Sequence, residues 1–378
     1  MKELFTLIQK DEQTKARLGK IVTARNEIET PVFMPVGTQG TVKGISNDEL
    51  ELCGAQMIIT NAYHLYLRPG MEVINKFNGI HKFTGWNRSI TTDSGGYQLY
   101  SLTELRKISE AGVEFQSHVD GSMHFFSPEK VIQIQSQIGS DIMMSFDECP
   151  PYPSSYEYTK KSLELTAAWA KKGKTEFEKI INERGFKNQF LFGIVQGGTY
   201  HDLRKISLEK TAALDFDGYS LGGLAVGEPK EIMYELIDNH IQSLPGNKVR
   251  YAMGIGQPED IWHCAEHGVD MFDCVIPTRN GRNGQALTSS GKVNIKNSEN
   301  RNSDSPLDDD CSCPVCKTYP KAYLHHLYHA GEILGLRLLT LHNIFFIINL
   351  TKIIRESIKN NDFLRQKEIF LNKYNNIK

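Results

Sequence analysis

Acidic and amide side chains follow several short apolar segments of the chain, in turns that are rich in glycine. Asp93, Asp147 and Asp273 each lie at the end of such a segment, and Gln196 ends another. Two carboxylates suit bond cleavage at the anomeric carbon of a sugar, because one attacks the carbon while the other protonates the leaving group. A further carboxylate and an amide suit recognition of a base edge that carries both donors and acceptors. Spacing alone does not assign these roles, and any single aspartate could instead cap a helix.

A metal-dependent hydrolase is another use of three aspartates. Such an enzyme usually also has histidines at strand ends, for example as a His-x-His pair, and the segment ends of this sequence carry none. The sequence therefore favours direct carboxylate chemistry over a metal-activated water.

Eight apolar segments predict strands, with helix-like stretches between them. The segments are 31–36, 57–61, 90–94, 142–147, 191–196, 218–223, 249–254 and 271–277. Helix starts are marked by Ser127 before Pro128, and by prolines at 229 and 258. Strands that alternate with helices predict a parallel sheet, and eight such units predict an α/β fold, the (β/α)8 TIM barrel. An open doubly wound sheet is the competing architecture, but its G-x-G-x-x-G turn is missing after the first strand.

Two segments do not fit the alternation. Residues 113–126 alternate apolar and polar side chains around Asp120 and Gly121, which predicts a β-hairpin inserted after the third strand. A polar stretch that is rich in glycine and asparagine follows the eighth strand. We therefore predict a barrel catalytic core over 1–280, a zinc-binding subdomain over 281–345 and a helix over 346–378 that closes on the barrel.

Three of the seven cysteines lie close together, at Cys311, Cys313 and Cys316. With one histidine they supply the donors of a tetrahedral zinc site, and four protein ligands make such a site structural. The candidates for the fourth ligand are His325, His326, His329 and His342. An odd cysteine count at low density predicts reduced thiols and no disulfide framework.

The composition is that of a globular protein, since 40% of the 378 residues are hydrophobic and 23% are charged. The net charge is only −2, but the residues from Cys311 onward include 10 Lys and Arg against 4 Asp and Glu. A basic end is a weak indication of a nucleic-acid partner. The apolar run 333–350 is broken by Arg337, His342 and Asn343, and the first residues do not resemble a signal peptide. We expect no membrane segment and a cytoplasmic location.

Several motifs together resemble the bacterial tRNA-guanine transglycosylases. They are D-S-G-G-Y-Q at 93–98, G-I-V-Q-G-G at 193–198, G-G-L-A-V-G-E-P at 222–229 and T-R-N-G-R-N-G at 278–284. The cysteine cluster and A-Y-L-H-H-L at 322–327 match as well. The resemblance extends from about Thr30 to the C-terminal helix and implies a (β/α)8 barrel with a zinc-binding insertion. It also implies one structural zinc ion per subunit, with His342 as the fourth ligand.

The resemblance implies exchange of guanine at the wobble position (34) of tRNAs with GUN anticodons for 7-aminomethyl-7-deazaguanine, in queuosine biosynthesis. The exchange is a double displacement through a covalent RNA–enzyme intermediate. Asp273 would be the nucleophile that attacks C1′ of the ribose, and Asp93 would be the general acid/base. Physical chemistry agrees, because sequence-specific RNA recognition targets loop bases that can be splayed out and read at their edges.

Binding residues also follow from the resemblance. Those implied for the base are Asp93, Ser94, Gly95, Gly96, Tyr97, Asp147, Gln196, Gly223, Leu224 and Met253. Those implied for the anticodon loop of tRNA are Gly254, Ile255, Gly256, Gln257, Pro258, Glu259, Asp260, Thr278, Arg279, Asn280, Gly281 and Arg282. Val226 and Cys149 follow the bacterial pattern. The queuine-using eukaryotic enzymes carry a smaller residue at the Val226 position, so a valine predicts the aminomethyl base. The family also implies a homodimer.

Three other functions stay open at this point. A non-catalytic scaffold relative would keep the barrel and zinc site, but both candidate catalytic aspartates are present. A glycosidase or nucleosidase would pass the ribosyl group to water, and the number of carboxylates does not exclude it. A zinc-dependent RNA-binding protein without activity would leave the aspartates at the strand ends unexplained.

Overall fold

The computed structural model describes residues 3–101, 105–185 and 188–375. The strands are β1 (Phe5–Lys10), β2 (Arg17–Val22), β3 (Glu27–Thr30), β4 (Val32–Pro35), β5 (Met57–Asn61), β6 (Ser89–Asp93), β7 (Arg106–Ser109), β8 (Gly112–Gln116), β9 (Met123–Phe126), β10 (Ile142–Met144), β11 (Phe190–Val195), β12 (Gly218–Leu221), β13 (Val249–Ala252), β14 (Met271–Cys274), β15 (Gln285–Thr288) and β16 (Gly291–Asn294).

The helices are α1 (Asn47–Leu52), α2 (Ala62–Leu65), α3 (Met71–Lys76), α4 (Ile80–Thr84), α5 (Gly96–Ser101), α6 (Pro128–Ile138), α7 (Tyr156–Arg184), α8 (His201–Ala212), α9 (Lys230–His240), α10 (Pro258–Glu266), α11 (Ile276–Arg282), α12 (Pro314–Thr318), α13 (Lys321–His329), α14 (Ile333–Lys359) and α15 (Phe363–Asn375). A π-helical turn spans Tyr66–Gly70, and short 3-10 helices span Ile241–Ser243 and Ser298–Asn300.

Eight parallel strands form the barrel, in the order β4-β14-β13-β12-β11-β10-β6-β5. A parallel bridge between Val36 and Ile59 joins the two end strands, and the Gly37 amide donates to the Ile59 carbonyl at 2.7 Å. Each predicted strand segment overlaps one of these strands, so the predicted α/β barrel is confirmed. Ser127 caps α6 through the Lys130 amide at 3.1 Å, as the sequence predicts.

Alternating side chains along the strands fill two different layers. In β11, Phe190 and Ile194 pack among residues from the other barrel strands, whereas Leu191 and Val195 pack against the surrounding helices. This alternation is what a strand buried on both faces requires. The result is a barrel with a filled interior.

A three-stranded antiparallel sheet, β1-β2-β3, precedes the barrel and was not expected from the sequence. Its Phe5, Ile21 and Ile28 pack with the first residues of barrel strands, such as Val32 and Met271. The sheet therefore covers the amino-terminal end of the barrel and leaves the carboxyl end open.

The predicted hairpin between the third and fourth barrel strands is confirmed as β8 and β9, with Val113 paired to Phe126. A further strand, β7, pairs with β8 and makes the insertion a three-stranded sheet. The sequence analysis did not predict β7.

The long helix α14 passes directly through residues 345 and 346, where the sequence analysis placed a domain boundary. It packs against α11 so closely that a Cβ on Gly281 would lie 2.7 Å from the Thr340 backbone. By length and composition α14 could cross a membrane, but 67% of its most apolar window is buried in the protein, as in a core helix. The three-part division stays a prediction, and residues 376–378 of the closing helix lie outside the described residues.

Candidate active site and metal-ligand cluster

A cavity of about 890 Å³ opens at the carboxyl ends of the barrel strands. Asp93 ends β6, Asp273 lies in β14, Gln196 follows β11 directly, and Asp147 follows β10. All four side chains line this cavity. Parallel strands in a closed barrel present their carboxyl ends at one mouth, which is why residues so far apart in sequence meet there.

The Asp273 carboxylate is held by two hydrogen bonds, and both end on Oδ1. The Tyr251 hydroxyl donates at 2.5 Å and the Gly254 amide donates at 2.9 Å. Burial raises the pKa of Asp273, while these two hydrogen bonds act in the opposite direction. Because Oδ1 is occupied, Oδ2 is the oxygen that is available to attack a substrate.

The Asp93 carboxyl group lies among other acids. Asn61 donates to its Oδ2 at 3.0 Å. Burial, followed by the negative charges of Asp147 and Asp273, raises the pKa of Asp93 to about 7. A carboxyl group with this pKa can both give and take a proton near neutral pH, which is what a general acid/base requires.

Asp147 and Gln196 form a buried pair. Gln196 Nε2 donates to Asp147 Oδ2 at 2.7 Å. Burial raises the pKa of Asp147 to about 6, although the Gln196 hydrogen bond opposes this. Gln196 Oε1 is buried without a hydrogen-bond partner among the described residues. An unpaired buried acceptor beside a carboxylate suits a flat ligand that presents N–H donors.

Two glycines of the motifs are required by the close approach of these side chains. A Cβ on Gly96 would lie 2.4 Å from Asp147 Oδ1. Gly223 has a φ of +63°, and a Cβ there would lie 2.5 Å from Gln196 Oε1. Any larger residue at either position would displace the recognition pair.

The three clustered cysteines and one histidine come together beside the barrel. His342 Nδ1, on α14, lies 3.3 Å from Cys316 Sγ, 3.4 Å from Cys313 Sγ and 3.8 Å from Cys311 Sγ. His342 Nε2 is bonded to the Leu287 carbonyl at 2.8 Å, so Nδ1 is the nitrogen that faces the thiols. The four residues could hold a metal ion.

Two rival histidines point elsewhere. His325 Nδ1 lies 2.8 Å from the Ile295 carbonyl, and His329 Nε2 lies 3.3 Å from the Lys296 carbonyl. The cluster that the structure assembles contains His342 and not His325, His326 or His329.

Comparison with known proteins shows the family of the chain. Residues 11–376 match the family model described as queuine tRNA-ribosyltransferase. Proteins of that name are 55% identical in Caldanaerobacter subterraneus subsp. tengcongensis and 54% identical in Thermoanaerobacter pseudethanolicus, each over 98% of this chain and 97% of the relative. The relative in Listeria innocua is 50% identical over 98% of this chain and 96% of its own length. The chain belongs to the queuine tRNA-ribosyltransferase family.

The resemblance to tRNA-guanine transglycosylases is thereby confirmed, and with it the enzyme class. Members of this family are pentosyltransferases of tRNA modification and queuosine synthesis. The scaffold and RNA-binding alternatives are disfavoured, because relatives that are 50–55% identical over nearly the whole chain carry the name of the enzyme.

The other residues that the resemblance implies for base binding fall into two groups. Tyr97, Leu224 and Met253 line the cavity with Gly223, and Tyr97 is 44% exposed at its edge. Ser94, Gly95 and Gly96 are buried behind it, where Ser94 Oγ lies 3.5 Å from Asp147 Oδ1. Val226 and Cys149 also line the cavity.

The residues expected to bind RNA are divided in the same way. Those that line the cavity are Gly254, Ile255, Gly256, Gln257, Glu259, Asp260 and Arg279. Arg282 is exposed and Asn280 is half-buried, whereas Pro258, Thr278 and Gly281 are buried. Asp260 is paired with Lys230 at 2.7 Å. The buried members can support the surface but offer little area to an RNA.

Sequence reasoning missed three residues that hold this site in place. Asn61 and Tyr251 bond the two central aspartates, as described above. Arg204, on α8, is buried and donates to the carbonyls of Gly198 at 2.8 Å, Gly222 at 2.9 Å and Gly223 at 3.2 Å. The position of Asn61 at a strand end was a usable signal, but nothing local marks Arg204 as different from other helix-face arginines.

Proposed function

We propose that the protein exchanges guanine at position 34 of tRNAs with GUN anticodons for 7-aminomethyl-7-deazaguanine, through a covalent RNA–enzyme intermediate. The observation that carries the proposal is the meeting of Asp93, Asp147, Asp273 and Gln196 in one cavity of a chain from this family. The names of the relatives support ribosyl transfer on tRNA.

In the first half-reaction Asp273 Oδ2 attacks C1′ of the ribose and the glycosidic bond to guanine breaks. Asp93 gives its proton to the departing guanine, so that a neutral base leaves. The hydrogen bonds from Tyr251 and Gly254 favour the ionised form of Asp273, and they hold it in one orientation. The raised pKa of Asp93 keeps its proton available near neutral pH.

In the second half-reaction the incoming base loses a proton to Asp93 and its ring nitrogen attacks C1′. The bond to Asp273 breaks and its carboxylate is restored. Asp93 regains the proton that it gave away, so the protons balance over the full exchange. Alternate use of one group as acid and base is the pattern of retaining glycosyl transfer.

Base recognition is assigned to the buried pair of Asp147 and Gln196, with the backbone of Gly223 and Leu224. The carboxylate and the unpaired Gln196 Oε1 supply acceptors for the N–H groups of a guanine-like edge. Tyr97 and Met253 would contact the two faces of the ring from the cavity wall. Arg279 and Arg282 supply positive charge for backbone phosphates of the anticodon loop.

Val226 is the proposed determinant of substrate size. It lines the cavity, and Glu228 Oε2 accepts from its backbone amide at 2.9 Å. We expect Val226→Gly to admit a base with a cyclopentenediol substituent. Competition of queuine against labelled guanine would measure this, and unchanged exclusion of queuine would count against the steric account.

The cluster of Cys311, Cys313, Cys316 and His342 is proposed to hold one structural zinc ion. Three sulfur donors and one imidazole nitrogen match the preferences of tetrahedral zinc and leave no open position for a substrate. When bound there, the ion would cross-link residues 311–316 to α14. Homodimer formation stays a prediction from the resemblance, and a cytoplasmic location stays a prediction from the sequence.

The test is incorporation of radiolabelled guanine into unmodified tRNA with a GUN anticodon, by wild type and by Asp273→Ala. We expect incorporation by wild type alone, together with a covalent RNA adduct that resists denaturation. Incorporation by both proteins would remove Asp273 as the nucleophile.

The same assay separates exchange from hydrolysis. A nucleosidase would release guanine and leave abasic tRNA, whereas a transglycosylase returns a labelled base to the same position. Accumulation of abasic sites without incorporation would overturn the proposed reaction.

A further inference from the structure

A second group of metal-ligating side chains lies on the outer helices α9 and α10. Asp238 Oδ1 lies 2.8 Å from His263 Nε2 and 3.2 Å from His267 Nε2. The three ligand atoms all lie within 4.8 Å of one another. The side chains of His263, His267 and Asp238 are 16%, 24% and 38% exposed, so an ion from solvent can reach them.

The orientation of His267 leaves a lone pair that faces a negative charge. His267 Nδ1 lies 2.9 Å from the His263 carbonyl, and because a carbonyl only accepts, Nδ1 carries the hydrogen. In the neutral imidazole Nε2 then has the lone pair, and it faces the Asp238 carboxylate. Two acceptors at 3.2 Å need a cation between them, which is either a proton or a metal ion.

The second histidine is also held in position. The ring of Tyr234 stacks on His263 with centroids 3.6 Å apart and planes 9° apart. The Tyr234 hydroxyl is itself fixed by a hydrogen bond to Asp260 Oδ1 at 2.7 Å. The bonded second nitrogen of His267 and the stacked ring of His263 are outer contacts of the kind that orient the donors in metal sites.

The spacing fits a tetrahedral ion. His263, on α10, and His267, which caps the end of that helix, are four residues apart and therefore lie on the same side of it. Donor atoms about 2.0–2.1 Å from a tetrahedral ion lie roughly 3.3 Å from each other, close to the two separations to Asp238. We propose that Asp238, His263 and His267 bind a divalent transition-metal ion, such as Zn²⁺ or Ni²⁺, with solvent in the remaining position.

This site lies away from the reaction. Lys230 at the start of α9 and Glu259 at the start of α10 line the cavity, so the opposite ends of both helices, which carry the site, lie at the far end of the barrel. Lys367 on α15 is nearby, but it is paired with Glu266, which offsets its charge. The ion cross-links α9 to α10 and stabilises the outer layer without contacting substrate.

The experiment is equilibrium dialysis of the full-length, zinc-loaded protein against micromolar ZnCl₂, followed by measurement of bound zinc. We expect wild type to bind one equivalent more than Asp238→Asn and one more than His267→Asn. His329→Asn is the matched control, because His329 is also four residues from another histidine on a helix, and it should bind as much as wild type. The comparison between variants does not depend on occupancy of the cysteine cluster.

A second measurement uses the thermal unfolding midpoint in the presence of NiCl₂. We expect added Ni²⁺ to raise the midpoint of wild type and of His329→Asn, and to leave His267→Asn and Asp238→Asn unshifted. Equal zinc content in wild type and both site variants would overturn the proposal and assign the cation to a proton. Loss of the extra equivalent in His329→Asn would overturn it as well, by placing the ion on α13.

Discussion

The aspartate cavity and the cysteine cluster differ in whether their polar side chains have partners within the protein. In the cavity, burial and then the negative charges of Asp147 and Asp273 raise the pKa of Asp93, and Gln196 Oε1 has no partner among the described residues. In the cluster, His342 Nδ1 faces all three cysteine sulfurs, and its other nitrogen is bonded to a carbonyl. The cavity keeps unpaired groups for a ligand, whereas the cluster directs its groups at each other.

This difference separates reactivity from stability. Like charges and unpaired buried atoms cost folding free energy, and they persist where a substrate or a proton compensates for them. A closed set of soft donors gains folding free energy when a metal binds. We therefore expect changes in the cavity to affect turnover with little loss of stability, and changes in the cluster to do the reverse.

The largest expected effect is on Asp273. Asp273→Asn keeps the size of the side chain but removes the nucleophile, and we expect exchange to fall by at least about 10³-fold. The thermal unfolding midpoint should stay within a few degrees of wild type. Asp215→Asn is the control and should keep full activity, because Asp215 is an exposed residue whose carboxylate pairs with Lys248. If Asp273→Asn lost both activity and stability, the proposal that the cavity serves turnover and contributes little to stability would be wrong.

The next effect is on the cysteine cluster. Cys316→Ala removes one metal donor, and we expect loss of bound zinc and destabilisation by several kcal/mol, on the order of what a structural metal ligand contributes. tRNA binding should weaken before the chemical step does, because Arg279 and Arg282 lie on the helix that packs against α14. Metal analysis, unfolding and a tRNA-binding titration measure the three effects.

Cys53→Ala is the matched control for that variant. Cys53 is buried, and its thiol contacts the Leu341 carbonyl, next to His342 on the same helix. It should lose some packing energy but keep the metal. Retained fold and RNA binding in metal-free Cys316→Ala would contradict the structural role of the cluster.

The raised pKa of Asp93 predicts that both the reaction and the stability of the fold depend on pH. Asp93 must be protonated to release guanine, so single-turnover adduct formation should fall about tenfold for each pH unit above about 7. The pKa of Asp93 is about 7 in the folded state against an ordinary value of 3.8, so between these two pH values the folded state binds a proton that the unfolded state has lost. Stability therefore falls as the pH rises from about 3.8 to about 7, and the ionised Asp93 destabilises the fold fully above about pH 7.

The same argument predicts the stability of Asp93→Asn. It should be inactive, yet unfold at a higher temperature than wild type at pH 8 and at a similar temperature at pH 4. An unchanged difference between the two proteins across this pH range would show that Asp93 has an ordinary pKa.

The smallest effect is expected at Arg204, which links the glycine turns of the cavity. Arg204→Lys cannot reach three carbonyls at once, so we expect a several-fold higher KM for the base with a smaller change in kcat. Arg250→Lys is the control, since Arg250 is also buried and donates to the Leu244 carbonyl at 2.8 Å, away from the cavity. If the two substitutions changed KM equally, Arg204 would have no specific role in positioning the glycine turns of the cavity.

The periodicity of apolar residues was sufficient to predict the barrel strands and the polar residues that follow them. Each strand is a short apolar run bounded by turn residues, and α6 begins at a local Ser-Pro signal. The strands β1–β3, β7, β15 and β16 were missed, because apolar residues fill no more than half of their positions. Their structure depends on what they cover more than on their own pattern.

The sequence by itself determined which residue types stand at the strand ends and that three thiols lie within six positions. Only the tertiary structure decided which atoms meet. Asn61 donates to Asp93 and Tyr251 donates to Asp273. Arg204 donates to the carbonyls of three glycines, and Asp238 lies between two histidines. The reason is that strand and helix signals act over a few residues, whereas these contacts join segments whose relative position is set by barrel closure and helix packing. The identity of His342 as the cluster's histidine belongs to the second group, because α14 must first pack beside α11 to bring it to the cysteines.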